Sequence, residues 1–310
     1  MTRVVLATAY GGPEVLTVAD RPVSAPGPGE ARVEVRAAGV NPADWKSYTG
    51  AFGTDPAQLP RRLGFEVSGV VTAVGPDVAL SVGDEVIGFR VSGGYAAEVV
   101  VPATALVPKP ASLGWEPAAG LMLAGATAVH ALTATGVGEG DTVLVHGAAG
   151  GVGLMAVQLA ALRGARVVGT VGGDGADLVR RLGAEPVRYG AGLADRVRAV
   201  APDGVDAALD LVGTDEAVDV SLELVADRHR IATIAAFGRA AADGIRALGG
   251  GPGADPGTEL RDAARAELAA LAGAGRLEVV VAGSFPLEEV AAAHRQGMAG
   301  HTHGKLVLLP

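Results

Sequence analysis

No cysteine occurs among the 310 residues. That removes disulfides, thiolate metal sites and a cysteine nucleophile, and it is compatible with a reducing cytoplasm, the expected location. No cluster of basic residues appears, and the formal charge is -9. A nucleic-acid partner is therefore not expected, and the acidity reads as a solvated surface. No apolar run reads as long enough to cross a bilayer. Met1 to Tyr10 alternates like a strand instead of following a charged segment with an apolar one, so neither a signal peptide nor a membrane partner is expected. No self-similarity of solenoid period is visible.

What is present points to a packed globular chain. Hydrophobic residues make up 49% and charged residues 19%, and the length suits one large or two medium domains. The 47 Gly and 18 Pro are spread over turn positions and form no disordered block. Short apolar runs separated by Gly/Pro turns, at Arg3–Ala9, Ala31–Ala38, Val67–Val74, Glu85–Phe89 and Ala96–Val101, predict a small closed or nearly closed β structure. From Glu116 the period changes. Helical stretches over Glu116–Thr135 lead into strand Thr142–His146, helix Val152–Arg163, strand Ala165–Thr170, helix Ala176–Leu182 and strand Pro186–Tyr189. Helix Leu193–Val200, strand Val205–Leu211, helix Thr214–Leu224 and strand Arg230–Ala235 follow. Strands alternating with helices predict a parallel sheet covered on both faces. After Phe237 comes the glycine-rich run GGGPGADPG, then a helical stretch Thr258–Ala272, then a strand–helix–strand tail expected to complete the β-rich part. A cleft between the two parts is the expected ligand site.

The string TVLVHGAAGGVGLMAVQLA carries the chemistry. A buried strand runs into Gly147, Ala148, Ala149, Gly150, Gly151, Val152 and Gly153, and then into an apolar helix. Unpaired amides at a helix N-terminus suit a diphosphate, and glycines let the backbone approach it. A tight turn that binds nothing is the plainer alternative. The strand–loop–helix context favours the dinucleotide.

HGAAGGVG resembles the nucleotide loop of the medium-chain dehydrogenase/reductases, in the zinc-independent quinone oxidoreductase (zeta-crystallin-like) branch. The resemblance runs over nearly the whole chain. It includes AAGVNPADWK (Ala37–Lys46), LGFEVSGVVTAVG (Leu63–Gly75), GDEVIGF (Gly83–Phe89), YAAEVVVPATALVPKP (Tyr95–Pro110), LAGATAVHAL (Leu123–Leu132), LGA (Leu182–Ala184) and HGKLVLL (His303–Leu309), in the family's order. It implies an α/β chain with a GroES-like β-rich catalytic domain, residues 1–118 and 251–310, and a Rossmann doubly wound parallel-sheet domain, residues 119–250.

Zinc-dependent relatives hold the metal with a Cys and a His, ligands that zinc favours. Asn41 and Phe65 stand at those places, so no metal is expected. His301 and His303 in GHTH are two ligands short of a zinc site and read as surface residues. Without a metal the substrate oxygen must be polarised by hydrogen bonds. The resemblance puts Asn41 and Asp44 on the loop lining the active site, Asn41 as a donor to a substrate oxygen and Asp44 as the residue ordering the loop. A local Asx-turn or helix cap is the alternative for both. Lys46 reads as a surface lysine, and Tyr48 is the proposed hydrogen-bond donor to substrate. In NPADWKSYTGAF, Phe52 stands where enoyl-thioester reductases place a proton-donating tyrosine.

Implied cofactor neighbours are Thr127, Ala149, Gly150, Gly151, Val152, Gly172, Tyr189, Val212, Gly213, Ala235, Phe237 and Lys305, with core packing the alternative for the apolar ones. Gly172, Gly173 and Asp174 occupy the stretch where relatives carry Ser and Lys. Tyr189 resembles the family tyrosine, and Arg180 or Arg181 could meet a 2′-phosphate. Asp174 favours NADH, or caps the next helix. NADPH is the family expectation. The expected activity is hydride transfer to a quinone or an α,β-unsaturated carbonyl. The alternatives are an enoyl-thioester or polyketide enoyl reductase, disfavoured by Phe52, and a non-catalytic nicotinamide-binding protein. Dimerisation through an edge strand near Gly249–Gly257 is expected from relatives, although consecutive glycines weaken a strand.

Overall fold

The computed structural model describes residues 1–310, which divide into two units: 1–123 with 265–310, and 124–264. In the first unit, β1 (Thr2–Ala7) pairs antiparallel with β2 (Leu16–Arg21), a strand the sequence pattern did not indicate. β3 (Glu30–Val40) is the spine. Its side chains alternate between half-buried and buried over residues 30–35, the period of a strand with one face on a core. α1 (Pro42–Tyr48) follows directly, with Pro42 at its first position, where a missing N–H costs nothing. β4 (Arg61–Arg62) adds to the β1–β2 sheet. β5 (Glu66–Val74), β6 (Glu85–Phe89), β7 (Glu98–Pro102) and β8 (Leu106–Pro108) complete the segment. Val33, Val67, Val99 and Val101 bury their side chains together, each such burial contributing roughly 1.5–3 kcal/mol.

α2 (Trp115–Ala134) is one continuous helix. Contrary to the sequence reading, it is long and apolar enough, by length and composition alone, to cross a bilayer. With 72% of its apolar window buried, it is packed as a core helix. β9 (Thr142–His146), β10 (Arg166–Val171), β11 (Ala184–Arg188), β12 (Ala207–Asp210), β13 (Ile231–Thr233) and β14 (Arg246–Ala247) form one parallel sheet, in the order β11-β10-β9-β12-β13-β14. The strand order reverses beside β9, the switch point at which open α/β sheets bind ligands. β9, β10, β12 and β13 are buried almost throughout, as strands covered on both faces must be. The helices are α3 (Gly151–Leu162), α4 (Ala176–Arg181), α5 (Leu193–Val200), α6 (Asp215–Leu224) and α7 (Phe237–Asp243), the last not anticipated from sequence.

The expected helix over 258–272 is two, α8 (Thr258–Ala263) and α9 (Arg265–Gly273), and the second unit ends between them. Residues 251–264, assigned from sequence to the GroES-like part, therefore pack with the parallel sheet. Asp255 bridges Leu248, its amide donates to the Ala247 carbonyl at 2.8 Å, and its carboxylate meets His130 Nε2 at 3.1 Å. In the tail, β15 (Val281–Pro286), α10 (Val290–Ala299) and β16 (Lys305–Leu309) return to the first unit. There β16 runs antiparallel to β3, with Leu306 opposite Val40.

Candidate functional site

At the end of β9 the chain turns at Gly147 (φ 73°) and enters α3. The turn is tied to β10: the Gly147 amide donates to Thr170 Oγ1 at 3.2 Å and the Ala148 amide to the Thr170 carbonyl at 3.1 Å. Gly150 is the N-cap, and no side chain caps the helix. The first-turn amides over Gly151–Gly153 therefore have no helical acceptor and point where an anion would sit. A Cβ at Gly153 would lie 2.2 Å from the Gly147 carbonyl oxygen, so only glycine lets this turn and helix approach so closely.

The carboxyl ends of the neighbouring strands form the rest of the rim. Gly172 follows β10, and a Cβ there would stand 3.4 Å from the Tyr189 hydroxyl. Tyr189 is 48% exposed. On the other side of β9, two buried polar groups that the sequence reading did not single out shape the turns. Asp210, at the end of β12, accepts from the amides of Val212 (3.1 Å) and Gly213 (2.7 Å) through one oxygen, and from the Thr233 hydroxyl (2.6 Å) through the other. Thr233 in turn accepts from the amides of Ala235 (3.1 Å) and Ala236 (2.9 Å). The sequence signal was a carboxylate closing an otherwise apolar strand, AALD. Val212 is half exposed, Ala235 and Phe237 partly so, and Thr127 is buried on α2. His146, buried at the end of β9, meets Ser221 Oγ at 3.1 Å, and burial pushes its imidazole down to about 4.

In the first unit a second cluster joins residues far apart in sequence. Lys305 Nζ reaches Glu66 Oε1 at 2.9 Å, the Val40 carbonyl at 3.2 Å and Asn41 Oδ1. Asn41 Nδ2 donates to Glu66 Oε1 at 2.9 Å and to the Gly39 carbonyl at 3.3 Å. The other Glu66 oxygen accepts from the Leu123 amide at 2.8 Å. Asn41 and Glu66 are fully buried and Lys305 nearly so. The Asn41 amide, expected to donate to substrate, thus has both of its donors committed inside the unit. Lys305, expected beside the cofactor, directs its ammonium to Glu66 and Asn41.

Asp44 is the third residue of α1, and its carboxylate caps the start of that helix, the local alternative to a role at a substrate. One oxygen accepts from the Asn41 amide at 2.8 Å and the other from the Gly64 amide at 3.1 Å. Burial pushes its carboxyl up to about 7, against the lowering effect of hydrogen bonds from Tyr95 and the Asn41 amide. Tyr48 differs from expectation. Its side chain is wholly buried, with its hydroxyl 2.8 Å from His294 Nδ1, so it is directed to His294 and not to a substrate surface. His294 Nε2 lies 3.2 Å from the Tyr95 hydroxyl, and burial pushes the imidazole down to about 4. With Tyr95 donating to Asp44, the neutral His294 donates from Nε2 to Tyr95 and accepts from Tyr48 at Nδ1. Nothing local in the sequence pointed to Tyr95 or His294 as partners of this loop.

The donors here do not suit zinc. An amide, a carboxylate and a carbonyl already surround the Lys305 ammonium, and no group of three His, Cys, Asp or Glu side chains is placed to hold a metal. His301 is exposed and His303 partly so.

Family models match the alcohol dehydrogenase GroES-like domain over residues 27–111 and the zinc-binding dehydrogenase over residues 175–308. The chain is 37% identical to a quinone oxidoreductase of Pseudomonas aeruginosa, over 97% of this chain and 98% of that one. It is 35% identical to a 2-haloacrylate reductase of a Burkholderia species, over 97% and 96%. The structure of Escherichia coli quinone oxidoreductase complexed with NADPH superposes with a TM-score of 0.88 at 28% identity, over 100% of both chains.

Proposed function

Because the chain belongs to the quinone-oxidoreductase branch of the medium-chain dehydrogenase/reductases, a family of oxidoreductases, we propose that it transfers hydride from NADPH to a quinone or an α,β-unsaturated carbonyl, without a metal. The observation that carries this reading is the uncapped N-terminus of α3, opening directly from the glycine turn at the switch point of the parallel sheet. Its first-turn amides hold the diphosphate. Bound there, the nicotinamide supplies the hydride. Asp210 and Thr233 fix the turns at Val212–Gly213 and Ala235–Ala236 that line the same rim. Tyr189 stands beside Gly172, at the end of the second strand, where the adenosine ribose falls in sheets of this order.

The preference for NADPH rests on the Escherichia coli relative complexed with it. Support for the acceptor class comes from the names of two relatives, a quinone oxidoreductase and a reductase of 2-haloacrylate, itself an α,β-unsaturated acid. Reduction of either acceptor consumes one proton besides the hydride. With Tyr48 buried against His294, that proton comes from solvent. The Lys305–Glu66–Asn41 cluster fixes the backbone at the start of α1 with an internal cation. Titrating the protein with NADPH and NADH, followed by nucleotide fluorescence and then by addition of 1,4-benzoquinone, tests the reading. We expect tighter NADPH binding and quinone-dependent oxidation of the bound nucleotide. Binding without oxidation by any quinone or enone would remove the activity, and absence of binding would remove the site.

A further inference from the structure

Between β11 and α5 the chain runs Arg188, Tyr189, Gly190, Ala191, Gly192. Gly190 and Gly192 have φ of 102° and 78°, and such a loop has much conformational freedom to lose. It is built around one side chain. Arg196, on α5, donates from Nε to the Arg188 carbonyl at 2.9 Å, from Nη2 to the Gly190 carbonyl at 2.7 Å and from Nη1 to the Ala191 carbonyl at 2.8 Å. From the other side Glu216 accepts from the Gly190 amide at 3.0 Å. A rigid fork of donors can hold three carbonyls at fixed angles, which a lysine ammonium cannot do.

Tyr189 is the residue this arrangement presents. Its amide donates to the Val171 carbonyl at 3.3 Å, and the residue stands half exposed with the hydroxyl beside Gly172. Core packing does not call for a half-exposed tyrosine held so firmly at the carboxyl end of the sheet.

We infer that Arg196 is a positioning residue for the dinucleotide, fixing Tyr189 against its adenosine ribose. The inference rests on the proposed nicotinamide site. Arg196 does not touch the cofactor; it acts through the loop.

Fluorescence titration with NADPH, without turnover, tests this on the wild type, Arg196→Met, Arg196→Lys, Tyr189→Ala and the double variant Arg196→Met/Tyr189→Ala. We expect Arg196→Met and Tyr189→Ala each to weaken NADPH roughly tenfold, and Arg196→Lys to weaken it nearly as much. The double variant should be no weaker than the worse single one, since groups acting as a unit are not additive. Loss of stability alone would lower the melting temperature without producing this non-additivity. Where Arg196→Met does not fold, Arg196→Lys carries the test. Wild-type affinity in the Arg196 variants, or losses that add in full, would overturn the positioning role while leaving the nicotinamide site intact. A wild type that binds no nicotinamide nucleotide would overturn both.

Discussion

Lys305 and Glu66 are a buried ion pair whose partners lie 239 residues apart, on β16 and β5. Removing one member of such a pair strands a charge away from water, which costs about 3–5 kcal/mol, whereas removing both charges together costs far less. Lys305→Met should therefore lower the urea midpoint steeply, and adding Glu66→Gln should recover much of the loss. Equal losses in the single and double variants would show that the ammonium does not balance Glu66. The Asn41 amide would also lose the partner of its oxygen in Lys305→Met, so part of the loss should remain in the double variant. Gly153 is a different kind of residue, required for space. Gly153→Ala would drive a methyl group to 2.2 Å from the Gly147 carbonyl, opening the glycine turn away from α3. We expect NADPH affinity to fall by roughly tenfold or more in a variant that still folds, because the amides that hold the diphosphate move with the turn. Unchanged affinity would place the nucleotide elsewhere.

At the scale of elements, the turns after β12 and β13 share one hydroxyl and one carboxylate. Thr233→Val leaves the Ala235 and Ala236 amides without their acceptor and the second Asp210 oxygen without its hydroxyl donor, at a cost of about 1–3 kcal/mol. The two turns should loosen together. Hydrogen exchange should rise at Val212–Gly213, although that turn keeps its own bonds to Asp210, as well as at Ala235–Ala236. A rise confined to the second turn would separate them. Asp210 was legible only as an odd carboxylate at a strand end, whereas β9, the glycine turn and α3 were legible outright. The difference is range. A strand, a turn and a helix contiguous in sequence, Thr142 to Leu162, declare themselves through local periodicity and glycine placement, and the alternation of strands and helices then fixes the parallel sheet. β2 was missed because none of its side chains is fully buried and its apolar alternation, Leu16–Thr17–Val18, stops at Ala19, Asp20 and Arg21. The helix break at Ala264 was missed because the composition of 258–272 is helical throughout. Tyr48 was assigned to a substrate because its partner, His294, lies 246 residues away. The same distance problem hid the commitment of Asn41 and Lys305 to Glu66.

At the scale of the whole molecule, the two units carry titratable groups of opposite temper. In the parallel-sheet unit, burial lowers His146 to about 4 and also lowers His130, while bonding to Arg230 lowers Asp141 and bonding to the Gly257 amide lowers Asp255. A group whose folded value is depressed stabilises the fold above its unfolded value and loses that contribution as the pH falls. For His146 the loss runs from about 6.5 down to about 4 and is on the order of 3 kcal/mol. In the β-rich unit, His294 behaves in the same way over the same window, but Asp44 opposes it. Raised from 3.8 to about 7, Asp44 favours the folded state most when protonated, below 3.8, and that contribution is lost as the pH rises through 7. The two nearly cancel between about 4 and 6.5. The raised hydroxyls of Tyr48 and Tyr95 add a further loss only on the alkaline side. Acid should therefore weaken the parallel-sheet unit first, and alkali the β-rich unit. Both tryptophans, Trp45 and Trp115, belong to the β-rich unit, so their fluorescence reports that unit alone while far-ultraviolet circular dichroism reports both. In urea titrations at pH 5, the dichroism should begin to fall at lower denaturant than the fluorescence changes. At pH 9 the fluorescence transition should move to lower urea and lead. Asp44→Asn should remove the alkaline loss up to about pH 9 and, with His294 then unopposed, move the fluorescence transition to higher urea as the pH rises from 5 to about 6.5, leaving the acid behaviour of the other unit unchanged. Transitions that coincide at every pH would mean that the units unfold as one cooperative body and that their separate titrations are averaged across it.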